Sequence, residues 1–245
     1  MNYKKKKAIS VLETNTAFKI NALNTMLIIF TVIAKDMIKL LYFDTNTTGE
    51  QELLTLAEHL PIKMQEYVLR YRYVSDRKLS LVGRLMLFKV LQGEGKPYLI
   101  QDWEKGLNNK PFIIDWKEFN ISHSGSMVAF CYGDNLVGVD IEVISDSNHL
   151  EFIDFLHPDE FHYISASKKP TDSFYNVWVR KEAFLKATGL GLTNQSAEYN
   201  CLPDIVSYNE LLWHIKEIEI NAAYKCCVCS LDNEEIDIEK FVLSF

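Results

Sequence analysis

Two segments hold the side chains best suited to chemistry: Gly138-Val139-Asp140-Ile141-Glu142 and Trp178-Val179-Arg180-Lys181-Glu182-Ala183-Phe184-Leu185-Lys186. The first reads as a strand. Its period of two sends Asp140 and Glu142 to one face and Val139 and Ile141 to the other. The second reads as a helix, and helical spacing puts Glu182 one turn after Trp178 and one turn before Lys186 on the same side. If folding brings strand and helix together, three carboxylates form an oxygen cage for a hard divalent cation, with an ammonium beside it. That is equipment for moving a phosphate-bearing group. Each segment also has an ordinary reading: any strand with one wet face alternates this way, and a Glu–Lys pair four apart is a common surface ion pair of about 0.3–0.5 kcal/mol. Glu182, however, borders the apolar stripe of Phe174, Val177, Trp178, Phe184 and Leu185, which directs its carboxylate toward whatever the stripe packs on.

A third segment, Asn120-Ile121-Ser122-His123-Ser124-Gly125, is a strand running into a donor-rich turn. A histidine there can aim a ring nitrogen at a phosphate oxygen, with serine hydroxyls beside it; it can equally serve only to stabilise the turn.

The elements that must position these residues follow from the apolar pattern. Strands are expected over Met37–Phe43, Phe119–Ile121, Met127–Tyr132 and Leu136–Glu142, with a closing antiparallel pair over Trp213–Ile220 and Tyr224–Leu231. Helices are expected over Glu50–Leu60, Lys63–Tyr73, from Ser75 or Asp76 to Gln92, over Asp159–Ser165 and over Ser173–Thr188, the last ended by Gly189-Leu190-Gly191. Gly83 lies inside the long first helix, where it costs about 1 kcal/mol relative to alanine, so close packing is expected there. Strands and helices in two successive rounds give an α+β chain of two comparable lobes. The expected division is an N-terminal extension at 1–35, a first lobe at 36–134 and a second at 135–245. For residues 1–35 an extra strand, a floppy extension and a later true start at Met26 or Met37 are all compatible with the sequence.

Bulk properties exclude several classes. A chain of 245 residues, 48 % apolar and 24 % charged, is ordinary for a soluble globule. The longest clean apolar run, Met26 to Ala34, is well below the roughly 20 residues of a membrane-crossing helix. The segment after Lys4–Lys7 lacks a signal peptide's layout. A cytoplasmic protein without a membrane partner is expected. Five cysteines, three of them at 226, 227 and 229 in one expected strand, do not make a disulfide framework or a zinc site. Net charge is −7, yet residues 60–117 hold eleven basic side chains against six acidic ones. A basic region joined to an acidic remainder suits a polyanionic ligand bridged to a metal, although helix surfaces are often basic without function. The acidic remainder and the lack of a stacking-aromatic motif argue against a nucleic-acid partner.

The order of these segments resembles the Sfp-type 4'-phosphopantetheinyl transferases: a basic helix carrying Val82-Gly83-Arg84-Leu85, a Lys-Pro turn, Asn-Ile-Ser-His-Ser-Gly, Gly-Val-Asp-Ile-Glu, then Trp-x-x-Lys-Glu-Ala-x-x-Lys. The resemblance runs from about Met37 to Tyr199. It implies two similar, pseudo-symmetric α/β lobes with coenzyme A bound in the cleft between them; a two-lobed chain with its own cleft can work as a monomer, which is the expected state. It implies transfer of 4'-phosphopantetheine to a serine of an acyl or peptidyl carrier protein, with release of adenosine 3',5'-bisphosphate. By motif, Asp140, Glu142 and Glu182 match the magnesium-binding acids, and Glu182 also matches the residue that deprotonates the serine. Lys186 matches the phosphate-contacting lysine, and Ser122 and His123 the phosphate-contacting turn, His123 being placed with Glu182 and Lys186 among the catalytic groups. Lys110 matches the lysine of a Gly-Lys-Pro turn whose glycine is replaced here by Asn109, while an intact Gly95-Lys96-Pro97 lies upstream. Lys63, Arg77 and Lys78 are the candidates for the coenzyme's 3'-phosphate. A nonenzymatic coenzyme A binder is the rival from another class, disfavoured by the presence of all three acids and Lys186.

Overall fold

A computed structural model describes residues 37–146 and 149–244. Strand β1 (Met37–Asp44) leads through helices α1 (Glu50–Leu56) and α2 (Ile62–Leu69) to the long α3 (Val74–Gly93). Two short strands, β2 (Trp103–Lys105) and β3 (Pro111–Ile113), form a hairpin of their own. Then come β4 (Glu118–Ser124), β5 (Met127–Gly133) and β6 (Val137–Val143), followed by α4 (Pro158–Ser165) and the long α5 (Pro170–Thr188). The chain closes with β7 (Ile205–Tyr208), β8 (Leu211–Ile218), β9 (Tyr224–Ser230) and β10 (Glu235–Lys240).

Two four-stranded sheets result, ordered β10-β1-β5-β4 and β6-β9-β8-β7. Their logic repeats: a strand, a long helix, then an antiparallel hairpin whose second strand pairs with the first strand. Thus β1, α3, β4 and β5 correspond to β6, α5, β8 and β9, which is the pseudo-symmetry expected of the two lobes. Sheet membership departs from a division at residue 134 in one place: β10, inside 135–245, lies parallel to β1 in the first sheet, with Lys39 ion-paired to Asp237. Alternation in the flanking sequence explains the layering. Leu41, Phe43, Val128 and Phe130 turn outward against α3, whereas Ile38, Leu40, Ala129 and Cys131 turn inward against Val139, Ile141, Cys226 and Val228 of the second sheet. The far face of that sheet, with Cys227, Cys229, Trp213 and Ile215, carries α5. Helix, sheet, sheet and helix therefore stack in that order.

Most expected elements are present, and the differences have simple causes. β7 and β10 lack a continuous apolar run because each lies at a sheet edge with exposed side chains. β4 extends through Ser124, so the expected turn residues Ser122 and His123 are strand. All five cysteines are free and buried, and among the described residues no helix is long and apolar enough to cross a membrane.

Gly83 has the close neighbour its position implies: a β-carbon there would meet Ile121 Cγ2 of β4 at 3.0 Å. Gly138 is more demanding. A β-carbon at 138 would run into the Ala183 carbonyl oxygen and the Ala187 amide nitrogen, with Ala187 Cα at 2.9 Å, so the backbone of α5 lies directly on β6. The rear of α5 is braced as well. Arg180 donates to the carbonyls of Cys201 and Leu202 and pairs with Asp204 and Glu217. Lys181 and Glu160, both fully buried, pair at 3.0 Å; Lys181 also donates to the Ser196 and Tyr199 carbonyls, and Glu160 accepts from Cys201 N and His157 N. Every charge in that node is met, as burial requires. Placing a methyl at the helix–strand contact overpacks backbone against backbone, so Gly138→Ala is expected to lower stability by about 1–3 kcal/mol, read from urea unfolding. An unchanged midpoint would show that α5 is free to lift from β6.

Candidate functional site

The side-chain alternation of β6 puts Val139 and Ile141 into the inter-sheet core and leaves Asp140 and Glu142 on the α5 side. The Gly138 contact then sets the register of α5 against that face, and Lys186 meets Asp140 there. Lys186 Nζ donates to Asp140 Oδ1 at 2.6 Å and to Ser122 Oγ at 3.0 Å. Ser122 Oγ in turn donates to Asp140 Oδ1 at 2.8 Å, closing a three-membered ring. Asp140 is 2 % exposed, and its other oxygen, Oδ2, is buried with no partner among the described residues. Ser124 Oγ donates to Glu142 Oε2 at 2.6 Å.

Electrostatics tie the acids into one system. Burial, then the Asp140 charge, push the Glu142 carboxyl up to about 7, with Glu182 adding to the effect and Ser124 and Lys186 opposing it. Burial also raises Glu182, opposed by Lys186 and assisted by Asp140. Burial disfavours the Lys186 ammonium, but Asp140 and then Glu182 outweigh it, so its pKa is raised and the side chain is charged at neutral pH. Among the described residues no three carboxylate, histidine or cysteine side chains are already gathered into a metal cage. The donor set nevertheless suits a hard cation in kind: it is all oxygen, the Asp140 charge helps raise both glutamates, and Asp140 Oδ2 is a buried acceptor without a partner among the described residues.

The remaining candidates are placed unequally. Adjacent residues on a strand face opposite ways, and Ser122 turns inward to Asp140 while His123 is exposed. Partial desolvation and the Lys186 charge hold the imidazole pKa below its usual value, and Asp76 of α3 is among the charges that raise it. Lys110 is near Lys186: both line a cavity of about 160 Å³ together with Asn120, Ile121, Gly189 and Gly191. Its ammonium donates to Val137 O at 3.1 Å and Ala187 O at 3.5 Å, and burial lowers its pKa. The turn before it has φ of +52° at Asn108 and +60° at Asn109, a left-handed backbone that asparagine tolerates better than most residues. Lys96 is exposed just beyond the end of α3. Lys63 is exposed and Lys78 half-buried. The Arg77 guanidinium pairs with Glu50 and donates to the Tyr71 and Arg72 carbonyls, so it ties α1 to the α2–α3 turn.

Several participants escaped the sequence reading. Asn120 Oδ1 accepts from Val139 N. Asn108 donates to the carbonyls of Gly189 and Leu190, closing the end of α5 from a distant loop. Arg84 is 9 % exposed and lies over the rings of Tyr67 and Trp103 at 4.7 and 5.3 Å. Among the described residues it donates only to Ser80, and its Nε has no partner. Lys105 sits over the same Tyr67 ring and donates to its hydroxyl. Neither cation has a carboxylate partner among the described residues. A buried arginine with aromatic neighbours was the available signal, but its burial could not be read from the helix pattern.

Residues 136–240 match the family described as the 4'-phosphopantetheinyl transferase superfamily, and residues 47–132 match 4'-phosphopantetheinyl transferase, N-terminal. The chain is 31 % identical over 188 residues to 4'-phosphopantetheinyl transferase gsp of Aneurinibacillus migulanus, covering 72 % of this chain and 78 % of that protein. It is 28 % identical over 209 residues to 4'-phosphopantetheinyl transferase Sfp of Bacillus subtilis (strain 168), covering 78 % and 90 %. The crystal structure of Thermotoga maritima holo-[acyl-carrier-protein] synthase overlaps it only in part, with a TM-score of 0.31 and 18 % identity over 40 % of this chain and 62 % of that one, too little to argue from.

The raised Glu142 value has a consequence for stability. Its folded pKa of about 7 exceeds the ordinary 4.5, so the folded chain binds this proton more tightly than the unfolded one. The associated stability is present below the unfolded value and is lost as pH rises toward the folded value. In chelated buffer the melting temperature of the parent should therefore fall relative to that of Glu142→Gln between about pH 5 and pH 7 and run parallel to it above about pH 8. Parallel curves over the whole range would remove the strained carboxylate.

Proposed function

The chain belongs to the Sfp-type 4'-phosphopantetheinyl transferases, and from that membership we propose that it moves phosphopantetheine from coenzyme A to a serine of an acyl or peptidyl carrier protein, using magnesium and releasing adenosine 3',5'-bisphosphate. The observation that supports this reading is the meeting of Asp140 on β6 with Lys186 on α5, within electrostatic reach of Glu142 and Glu182.

In the proposed reaction the serine oxygen forms a bond to the phosphorus that carries the pantetheine arm, and the bond from that phosphorus to the bridging oxygen of the pyrophosphate breaks. The electron pair leaves with adenosine bisphosphate. Coenzyme A brings about four negative charges at neutral pH, which oppose an incoming alkoxide. Magnesium, when bound, offsets part of that charge and polarises the phosphoryl oxygens. Asp140, Glu142 and Glu182 would hold it, and a cation would offset the burial and the Asp140 charge that raise Glu142 and Glu182. Glu182 accepts the serine proton, for which a raised carboxylate is better suited than an ordinary one; if it also touches the metal, a bound water relays the proton. Lys186 supplies a fixed positive charge where negative charge develops on the leaving oxygen. His123, neutral at pH 7 because its pKa is lowered, contributes one N–H donor and no charge.

For anchoring the nucleotide end, Arg84 and Lys105 are better placed electrostatically than Arg77, since Arg77 is already paired with Glu50 while the other two have no carboxylate partner among the described residues. An anion would complete the charge that burial of Arg84 leaves unmatched. The carrier is expected to be a small acidic helical protein, met by local basic and apolar groups rather than by the chain's net charge.

Incubation of a purified carrier protein with this chain, coenzyme A and magnesium should add about 340 Da to one serine, read by intact-protein mass spectrometry. Asp140→Asn or Glu182→Gln should lower turnover by at least about 100-fold. Near-parent labelling by both variants would dissolve the proposed site. Arg84→Met, which keeps bulk and removes the charge, should raise the KM for coenzyme A by about tenfold, the value of one charge-assisted contact; an unchanged KM would assign the guanidinium to packing alone.

A further inference from the structure

The first sheet ends at β4 and the second at β6, and side chains rather than a backbone ladder join these two edges. Asn120 Oδ1 accepts from Val139 N at 3.0 Å, and Ser124 Oγ accepts from Val143 N at 3.2 Å. Just past this seam lies the turn from β4 to β5, residues 124–126, and it is gripped from both sheets. From the first, Thr45, the residue after β1, donates to Ser126 O from its backbone amide and from its hydroxyl, each at 2.9 Å. From the second, the Tyr224 hydroxyl at the start of β9 accepts from Ser126 N at 3.1 Å and lies 3.3 Å from Ser126 Oγ. Tyr224 stands opposite Val143 in the β6–β9 ladder, next to Glu142.

Gly125 makes this approach possible. Its φ is +57°, and a β-carbon there would lie 2.7 Å from the Tyr224 hydroxyl oxygen and 3.3 Å from Val143 Cβ. Glycine is therefore required twice, for the left-handed backbone and for the space that the phenol fills. The Tyr224 ring packs against the inter-sheet core, a place a phenylalanine ring would fill equally well, so what the tyrosine adds is an acceptor for the turn's amide. The turn follows Ser122 and His123 directly, and β6 carries Asp140 and Glu142. A ligand that engages the end of β4 and also a cation at the acids is bound well only if those two places are held at a fixed separation. We propose that Tyr224 is a positioning residue: its hydroxyl fixes the β4–β5 turn against the acidic strand β6, so that the coenzyme and the cation strengthen each other's binding. The inference rests on the magnesium-dependent reading above and concerns what keeps its two halves in register.

The test is calorimetric titration of coenzyme A into the full chain without carrier protein, once in magnesium and once in chelated buffer. The ratio of the two Kd values measures how strongly cation and coenzyme support each other, and for linked sites it typically lies between about 5- and 150-fold. Tyr224→Phe should bring that ratio to within about twofold of unity while the Kd in chelated buffer moves by less than about threefold. Gly125→Ala, whose β-carbon displaces the phenol oxygen, should lower the ratio in the same way, and adding Tyr224→Phe to it should cost nothing more because both changes break one contact. A parent-like ratio in Tyr224→Phe would overturn the proposal. So would equal weakening in both buffers, which would make the tyrosine a packing group, and so would additive losses in the double variant. Coenzyme binding by the parent that ignores magnesium would instead defeat the magnesium reading itself, a result visible before any variant is compared.

Discussion

The site depends on one close approach, the backbone of α5 lying on β6 at Gly138. Helix and sheet normally stay apart by the thickness of their side chains. Where one β-carbon is missing, the helix can descend until its own backbone touches the strand. That descent brings Lys186 within hydrogen-bonding distance of a carboxylate rooted on the strand itself. With a thicker layer between them, Asp140 would be a buried acid without a counter-ion, which is costly. The contact and the ion pair are therefore mutually dependent: the pair makes burial of Asp140 tolerable, and the glycine makes the pair reachable.

The same helix is held from behind by groups with no place in the proposed reaction. Arg180 and Lys181 precede Glu182 directly in sequence, and their charges are matched by Glu217, Asp204 and Glu160 and by backbone carbonyls. Consecutive residues on a helix point about 100° apart, so Arg180 and Lys181 can bind the region after α5 while Glu182 and Lys186 face the strand. A helix braced in this way keeps its register when charge changes on its front face.

The seam between the sheets places a polar face of β4 opposite the acidic face of β6. Because no backbone ladder joins them, side-chain hydroxyls and an amide satisfy groups that a continuous sheet would have paired. The two sheets share a core, and at this seam Ser122 of the first sheet meets Asp140 of the second.

Much of this was legible in the sequence, because it depends on local periodicity. Period two in Gly138–Glu142 assigned Asp140 and Glu142 to the face opposite Val139 and Ile141, and the core clusters agree. Helical spacing grouped Glu182 with Lys186, and Gly83 signalled a tight contact that Ile121 supplies. Order and spacing of the motifs also carried the resemblance that the two family matches and the relatives support. What depends on contacts between distant segments was not legible. Ser122 and His123 read as one turn, yet strand geometry sends them to opposite faces. Arg77 read as a candidate for the coenzyme's 3'-phosphate, and its ion pair with Glu50, distant along the chain, could not be read from the sequence. Arg84 read as one more helix charge, until its burial between Tyr67 and Trp103 appeared. β10 read as no strand at all, because a parallel partner at the other end of the chain defines it. The sequence alone determined which groups are available and which face of its own element each occupies, since those follow from bond geometry within a few residues. Tertiary structure decided which of those groups are already partnered, because hydrogen bonds and ion pairs are made wherever the fold brings chain segments together.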